Sequence, residues 1–145
     1  MGAVEPYSEN KSKMRAVGSP KMTEEFDPLA LVQDQPLRIT EGTLRELREF
    51  RAAEKLTRLP GIDTAAEKQR LSEVLQALVD RLVSGIEANP SKLWVMKQFQ
   101  IGLQAVEQED TEAREHFGVH LEQLMDILHI ESSDGLLNFY LVGIF

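Results

Sequence analysis

A glutamate and two histidines are spaced so that they could share a metal ion. Glu112, His116 and His120 recur every four residues, which places them on one face of a helix. Carboxylate oxygens and imidazole nitrogens both bind zinc, so this face would suit a metal-dependent hydrolase. However, the sequence has no HExxH motif, and the only other histidine that could complete such a site is His129. Because His120 also falls on an apolar stripe, we expect structural histidines and no metal.

Other residues with reactive side chains have structural explanations. Ser132 and Ser133 lie next to Asp134, but a catalytic triad needs a base oriented in space, and no G-x-S-x-G motif is present. We expect these three residues to cap a helix. Trp94 and Phe99 could line a small-molecule pocket, although aromatic residues at helical spacing usually belong to the core. The chain has no cysteine. The sequence therefore predicts no catalytic residue and no cofactor.

Charge is distributed unevenly along the chain. Sixteen basic and 24 acidic residues give a net charge of −8, which argues against nucleic acid as the main partner. Residues 98–145 contain nine acids, with Arg114 as their only basic residue. The first predicted helix carries a basic stripe, namely Arg45, Arg48, Arg51, Lys55 and Arg58. Either this stripe neutralises the acids within the molecule, or the acids stay open for a basic partner. The acids expected to contact such a partner are Glu107, Glu109, Asp110, Glu112, Glu115, Glu122 and Asp126.

Capping residues and apolar periodicity predict the helices that carry these residues. Thr43 and Glu46 form a capping box that predicts the start of the first helix, and Pro60-Gly61 predicts its end. A second box at Thr64–Glu67 opens the strongest apolar run, from Leu71 to Ile86. Later helices are predicted after a cap at Asn89 with Pro90 following, after a cap at Asp110, and over Gly135–Leu141.

These elements predict an all-α fold, an antiparallel bundle of about four to five helices with an extended N-terminal arm. The bundle domain comprises residues 43–145. The arm comprises residues 1–42, which hold four of the six prolines; we expect 1–22 to be flexible and 23–42 to be extended and packed. No apolar run is long enough to span a membrane, and the first residues do not resemble a secretory signal. We therefore expect a soluble cytoplasmic protein.

One C-terminal stretch carries a family resemblance. Residues 121–128 (LEQLMDIL), followed by ESSDGLLN at 131–138, resemble the family called domain of unknown function 4844, which comprises small bacterial helical proteins. The run Ser-Ser-Asp-Gly-Leu-Leu-Asn is its most specific element, and the resemblance covers roughly residues 60–143. It implies a bacterial origin and an all-helical fold. The family has no catalytic residues to transfer, so the resemblance implies no reaction.

The sequence as a whole predicts a non-enzymatic domain that binds another protein. In its narrowest form this is an immunity- or antitoxin-like inhibitor that covers the active cleft of a basic toxin, because the C-terminal third is strongly acidic and no reactive group of residues is evident. One alternative is a generic adaptor or regulatory subunit. Another is a small hydrolase or metal-binding enzyme that uses the Glu112, His116 and His120 face. Nucleic acid and membranes are not expected as partners.

Overall fold

The fold is described by a computed structural model that covers residues 26–53 and 65–142. The chain divides between Ala30 and Leu31, and the second unit, from Leu31 onward, holds all the α-helices of the described residues. A 3₁₀ turn spans Pro28–Leu31. Within the described residues five α-helices follow: α1 (Glu41–Ala52), α2 (Ala65–Gly85), α3 (Lys92–Ala105), α4 (Thr111–Leu128) and α5 (Leu136–Leu141). In these ranges the only β pairing is an isolated bridge between Pro36 and Ser91. The predicted all-α bundle is confirmed.

Several predicted features lie outside the described residues. These include the flexible arm at 1–22 and the cap at Thr64. The predicted end of the first helix at Pro60-Gly61 was wrong, because α1 ends at Ala52 and Ala53 after it is already extended. The start of α2 at Ala65 agrees with the predicted second helix.

Residues 23–42 were expected to be extended; of those described, residues 32–40 form the segment without helix that precedes α1, but Pro28–Leu31 form the 3₁₀ turn and Glu41 and Gly42 already belong to α1. In this segment Leu37 is buried, whereas Leu31, the last residue of the preceding 3₁₀ turn, is 46% exposed.

Helix α2 lies at the centre of the bundle, where it packs against α1, α3 and α4. Apolar residues at steps of three and four form one wide face, and Leu71, Leu78 and Leu82 on that face are fully buried. The aromatic rings of Phe99 from α3 and Phe117 from α4 complete the core and are also fully buried. Each such side chain contributes about 1.5–3 kcal/mol through burial, so the core determines which sides of the outer helices face solvent.

Helix α4 buries only one of its sides. Ala113, Phe117, Leu121 and Leu124 have no solvent exposure and face the core. The helix begins after Asp110, whose Oδ1 accepts a hydrogen bond of 2.9 Å from the amide of Ala113, which confirms this predicted cap. Helix α5 packs against both α3 and α4. The opposite side of α4 therefore remains on the surface.

The predicted start of α1 was wrong by three residues. Its N-cap is Thr40, whose Oγ1 accepts from the amide of Thr43 at 3.1 Å. In turn, Oγ1 of Thr43 accepts a hydrogen bond of 3.2 Å from the amide of Thr40, so the capping box consists of two threonines. Thr43 therefore occupies N3 and is buried, and Glu46 lies exposed in the middle of the helix.

The predicted cap of α3 was also wrong. Ser91, not Asn89, is the N-cap, and its Oγ accepts from the amide of Trp94 at 3.1 Å. Pro90 lies outside the helix, where its carbonyl accepts a hydrogen bond of 2.8 Å from the amide of Leu37. This contact with the segment before α1 holds Pro90 in an extended chain, so the helix begins two residues later than the Asn-Pro pair indicated.

Gly85 allows α3 to approach the end of α2 closely. A Cβ atom at this position would lie 2.6 Å from Cζ2 of the Trp94 indole, which is closer than real contacts allow. The indole ring therefore lies directly against the backbone of α2. With Phe99 fully buried, both aromatic residues that could have lined a pocket serve as packing between helices.

We predict that Gly85→Ala destabilises the protein, because the rigid indole ring must move to admit the methyl group. The expected loss in the free energy of unfolding is roughly 1–3 kcal/mol, measured by urea denaturation. Gly42→Ala in α1 is the matched control, since its Cβ would find its nearest neighbour at 3.5 Å. This control should be neutral or stabilising by up to about 1 kcal/mol. Equal effects of the two substitutions would refute the close approach.

Candidate functional site: the exposed side of helix α4

Glu109, one of the nine C-terminal acids, is held by a basic residue of α2. Nε of Arg70 donates to Oε2 of Glu109 at 3.0 Å, and Nη2 of Arg70 donates to Oε1 at 3.0 Å. The side chain of Glu109 is only 15% exposed. The hydrogen bond from Arg70, with the attraction between the charges, holds the pKa of Glu109 below its usual value. Glu109 therefore anchors the turn before α4 to α2.

Asp134 is neutralised by a buried lysine. Nζ of Lys92 lies 2.7 Å from Oδ2 of Asp134, and the lysine side chain is only 6% exposed. The amide of Gln33 donates to the same carboxylate oxygen at 2.8 Å. The hydrogen bond from Lys92, followed by the one from Gln33, holds the pKa of Asp134 below its usual value. One carboxylate thus joins the first residue of α3, the loop before α5 and the segment before α1.

Backbone contacts strengthen this junction. The amide of Lys92 donates to the carbonyl of Gln35 at 2.9 Å, and the amide of Leu93 donates to Oδ1 of Asp34 at 2.8 Å. Asp34 therefore caps α3 from a distant part of the sequence. No local sequence pattern relates residues 34, 92 and 134, so the sequence did not predict that these three residues form one junction.

The Ser-Ser-Asp-Gly run forms the turn that presents Asp134. Oγ of Ser133 accepts from the amide of Leu137 at 3.2 Å, which confirms that Ser133 bonds to the backbone of α5, although the N-cap itself is Gly135 and not one of the three predicted residues. Oγ of Ser132 accepts from the amide of Asp134 at 3.0 Å. Gly135 has a φ of 94°, a left-handed conformation that favours glycine, so its place here follows from the backbone. Asp134 was expected to help cap α5, but its carboxylate pairs with Lys92 instead.

Four carboxylates form a row along the exposed side of α4. This acidic row consists of Glu112, Glu115, Glu122 and Asp126, all exposed. At about 100° per residue they fall within an arc of roughly 80°, away from the buried side of the helix. None of them makes an ion pair with a basic residue in the ranges 26–53 and 65–142. The structure thus brings together four of the seven acids that the sequence predicted for partner binding.

The other acids predicted for this surface lie nearer the start of α4. Glu107 is exposed in the turn after α3, and Asp110 is the N-cap of α4. Arg114, the only basic residue of the C-terminal third, donates from Nη1 to the carbonyl of Tyr140 at 3.1 Å. Its Nη2 donates to Oγ1 of Thr111 at 3.4 Å. Arg114 therefore holds α4 to the end of α5 and forms no ion pair with the acidic row.

The described part of the basic stripe does not reach these acids. Arg51 pairs with Asp80 of α2 at 2.9 Å, and both side chains are substantially exposed. Arg45 and Arg48 are exposed on α1. Lys55 and Arg58 lie outside the described residues. Within the described residues, internal neutralisation of the acidic row by the stripe is not observed.

The Glu112, His116 and His120 face offers no metal centre in the described residues, where no three His, Asp or Glu side chains lie close enough to hold one ion. Nδ1 of His120 lies 2.9 Å from Oε1 of Gln123. The imidazole ring packs edge-to-face against Phe50 of α1, with ring centroids 6.2 Å apart. His120 therefore contributes to the contact between α1 and α4.

A polar groove continues the acidic row at the C-terminal end of α4. It encloses about 420 Å³ and lies between α4 and the turn that leads into α5. Its acidic lining residues are Glu122, Asp126 and Glu131, and its apolar ones include Met125 and Leu137. The Ser-Ser-Asp-Gly-Leu-Leu-Asn run supplies most of the opposite wall. This groove can accept a long side chain with an apolar stem and a positive end.

Among the described residues, fold and surface define an all-helical domain whose acidic side on α4 is not neutralised by a basic residue. The chain belongs to the family described as domain of unknown function DUF4844, whose family model matches residues 38–145. This match confirms the resemblance seen in the C-terminal stretch and extends it to the start of α1. Neither curated proteins nor solved structures yield a match to the chain. Among the described residues, no helix combines the length and apolarity needed to cross a bilayer.

We predict that Asp134→Ala destabilises the fold by about 2–3 kcal/mol, because it leaves the buried ammonium of Lys92 without a counter-charge. Chemical denaturation measures the loss. The double substitution Lys92→Met with Asp134→Ala should recover part of it, since the uncompensated charge is then gone. Asp126→Ala, at an exposed acid, is the control and should change stability by no more than about 0.5 kcal/mol. A loss no greater than that of the control would contradict the role of the pair.

We also predict a pH dependence that involves Asp134. Because its pKa is lower in the folded state than the ordinary value of 3.8, its contribution to stability is complete above that value and is lost as the pH falls through the folded-state pKa. Unfolding free energies measured between about pH 5 and pH 2 should fall less steeply for Asp134→Asn than for the wild type. Asp126→Asn should keep the steeper wild-type profile, and identical profiles for all three proteins would disprove the assignment.

Proposed function

We propose that this chain is a non-enzymatic protein-binding domain that uses the exposed side of α4 to bind a basic partner. The observation that supports this proposal is the contrast among the acids of the C-terminal third. Glu109 and Asp134, which join elements of the fold, each have a basic partner within 3.0 Å. The acidic row on α4 has none among the described residues. Positively charged groups of a partner protein would supply the counter-charge that the acidic row lacks.

The acidic row has an energetic cost that favours a functional explanation. Glu122 and Asp126 are four residues apart near the C-terminal end of α4, and Glu112 and Glu115 are three apart, so like charges are neighbours on the helix surface; only Glu112, in the first turn, is stabilised by the helix dipole. Such pairs destabilise a helix by about 0.2–0.5 kcal/mol each. A basic partner would remove this repulsion on binding. It would also be drawn to the surface by a field that extends about 10 Å at 0.1 M salt.

Within this class, the narrowest form of the proposal is an immunity- or antitoxin-like inhibitor in the cytoplasm of a bacterium. A small acidic domain can block a basic active cleft by covering it, and this requires no chemistry of its own. A generic adaptor or regulatory subunit would use the same surface without inhibiting an enzyme. The metal-dependent hydrolase has no support from the described residues, since the Glu112, His116 and His120 face forms no ligand set.

The proposal predicts selective capture of a basic protein. The full chain is immobilised and exposed to lysate of the source cells, with proteins identified by quantitative mass spectrometry. A basic protein should be enriched at about 0.05 M salt and released at about 1 M, where the Debye length falls to about 3 Å. Glu115→Lys with Glu122→Lys should reduce this capture at least about tenfold.

The matched control is Glu49→Lys with Glu87→Lys, which changes the net charge equally but at exposed acids that line a groove between α1 and the end of α2. This control should capture the partner as the wild type does. Equal losses for both variants would show that only net charge matters and would contradict the proposed surface. If the captured protein is an enzyme, adding the purified chain distinguishes an inhibitor, which abolishes its activity, from an adaptor, which leaves it intact.

A further inference from the structure

The exposed side of α4 has the spacing that helices use to pair with one another. One apolar residue, Val119, lies midway along the acidic row, between Glu115 and Glu122, and is 48% exposed. With Val119 included, successive members are separated by three, four, three and four residues, running from Glu112 to Asp126. This alternation is the a and d spacing of a heptad, in which each side chain contacts the helix packed alongside. The surface therefore combines a straight stripe of charge with an apolar contact point.

The dimensions of the stripe also match a helix. From Glu112 to Asp126 the stripe is about 21 Å long, at a rise of about 1.5 Å per residue. A partner helix presents one residue per turn of about 5.4 Å, which agrees with the spacing on α4. An extended peptide presents side chains on one face about every 6.6–6.8 Å and would lose register along the stripe. The geometry thus distinguishes a helical from an extended partner segment.

We infer that the occupant of this surface is an amphipathic basic helix of a partner protein, with an apolar residue against Val119 and lysines or arginines facing the acidic row. This inference rests on the proposed function and specifies the partner segment. Continuity with the groove beside Asp126 and Glu131 supports it, because a long basic side chain at one end of the helix can place its stem against Met125 and Leu137. A second copy of this chain is a poorer match, since its net charge is −8.

Two synthetic peptides of identical composition test this inference. Both contain about 16 residues, chiefly lysine and alanine with one leucine. One, the heptad peptide, places the leucine at the centre of a heptad stripe and lysines at the other positions of that stripe; the other scrambles the order so that no such face forms. Binding to the full chain is measured by fluorescence anisotropy at about 0.05 M salt. The heptad peptide should bind at least about tenfold more tightly than the scrambled one, and it should gain helical circular dichroism on binding.

Val119→Asp separates apolar docking from simple charge attraction. The substitution adds a negative charge, so binding by charge alone would become tighter, whereas docking against Val119 would become at least about tenfold weaker. Ile101→Asp on α3, where the isoleucine is 49% exposed, is the matched control and should leave the affinity for the heptad peptide within about twofold of the wild type. Val119→Thr, of nearly the same size, replaces Val119→Asp if thermal unfolding shows that the latter disturbs the fold, and it should also weaken binding.

The outcomes distinguish this inference from the proposed function. If both peptides bind equally and Val119→Asp strengthens binding, the surface attracts charge without requiring a helix, so the inference is wrong while the proposed function stands. If neither peptide binds the wild-type chain, both are wrong. Tighter binding of the heptad peptide that is lost with Val119→Asp supports both.

Discussion

The buried ion pair between Lys92 and Asp134 joins three parts of the chain that are distant in sequence. An ammonium group that is almost fully enclosed is costly to desolvate, and it is tolerated here because a carboxylate lies 2.7 Å away. That carboxylate is in turn oriented by the amide of Gln33 and by the left-handed turn at Asp134 and Gly135. The pair therefore fixes the start of α3, the loop before α5 and the extended segment that precedes α1. The wall of the groove beside α4 depends on that loop.

Seven of the nine acids of the C-terminal third fall into two groups. Glu109, Asp110 and Asp134 are used by the fold, as an ion-pair partner of α2, a helix cap and the junction with α3. The acidic row on α4 is used by no contact within the described residues. The first group stabilises the fold, and the second repels itself. A domain that gained nothing from the second group would be more stable with neutral or basic residues there, which is why the proposed function assigns this group to an external partner.

Local patterns predicted much of the fold. The periodic run that became α2, the cap at Asp110 and the role of Ser133 at α5 all depend on residues within a few positions of one another. The two wrong caps, at Thr43 and Asn89, show the limit of such patterns. More than one residue with a hydroxyl or amide side chain lies near each predicted helix start, and each of them could act as the N-cap. Which one does so depends on contacts with other parts of the chain, such as the hydrogen bond from the amide of Leu37 to the carbonyl of Pro90. The junction of Asp34, Lys92 and Asp134 could not be predicted, because nothing local relates these positions. Composition indicated an acidic surface, but only the structure shows that Glu109 is paired with Arg70 and does not belong to the unpaired acids of that surface.

The account depends most on the claim that the exposed side of α4 is open for a basic helix while the Lys92–Asp134 junction stays fixed. Amide chemical-shift mapping of the ¹⁵N-labelled full chain, titrated with the heptad peptide, tests this claim directly. The account predicts shifts concentrated between residues 112 and 126 and along the groove-lining residues 130 to 138, with the amides of Gln33 and Lys92 unchanged. Shifts centred on the basic stripe of α1, or spread evenly over the whole domain, would contradict it.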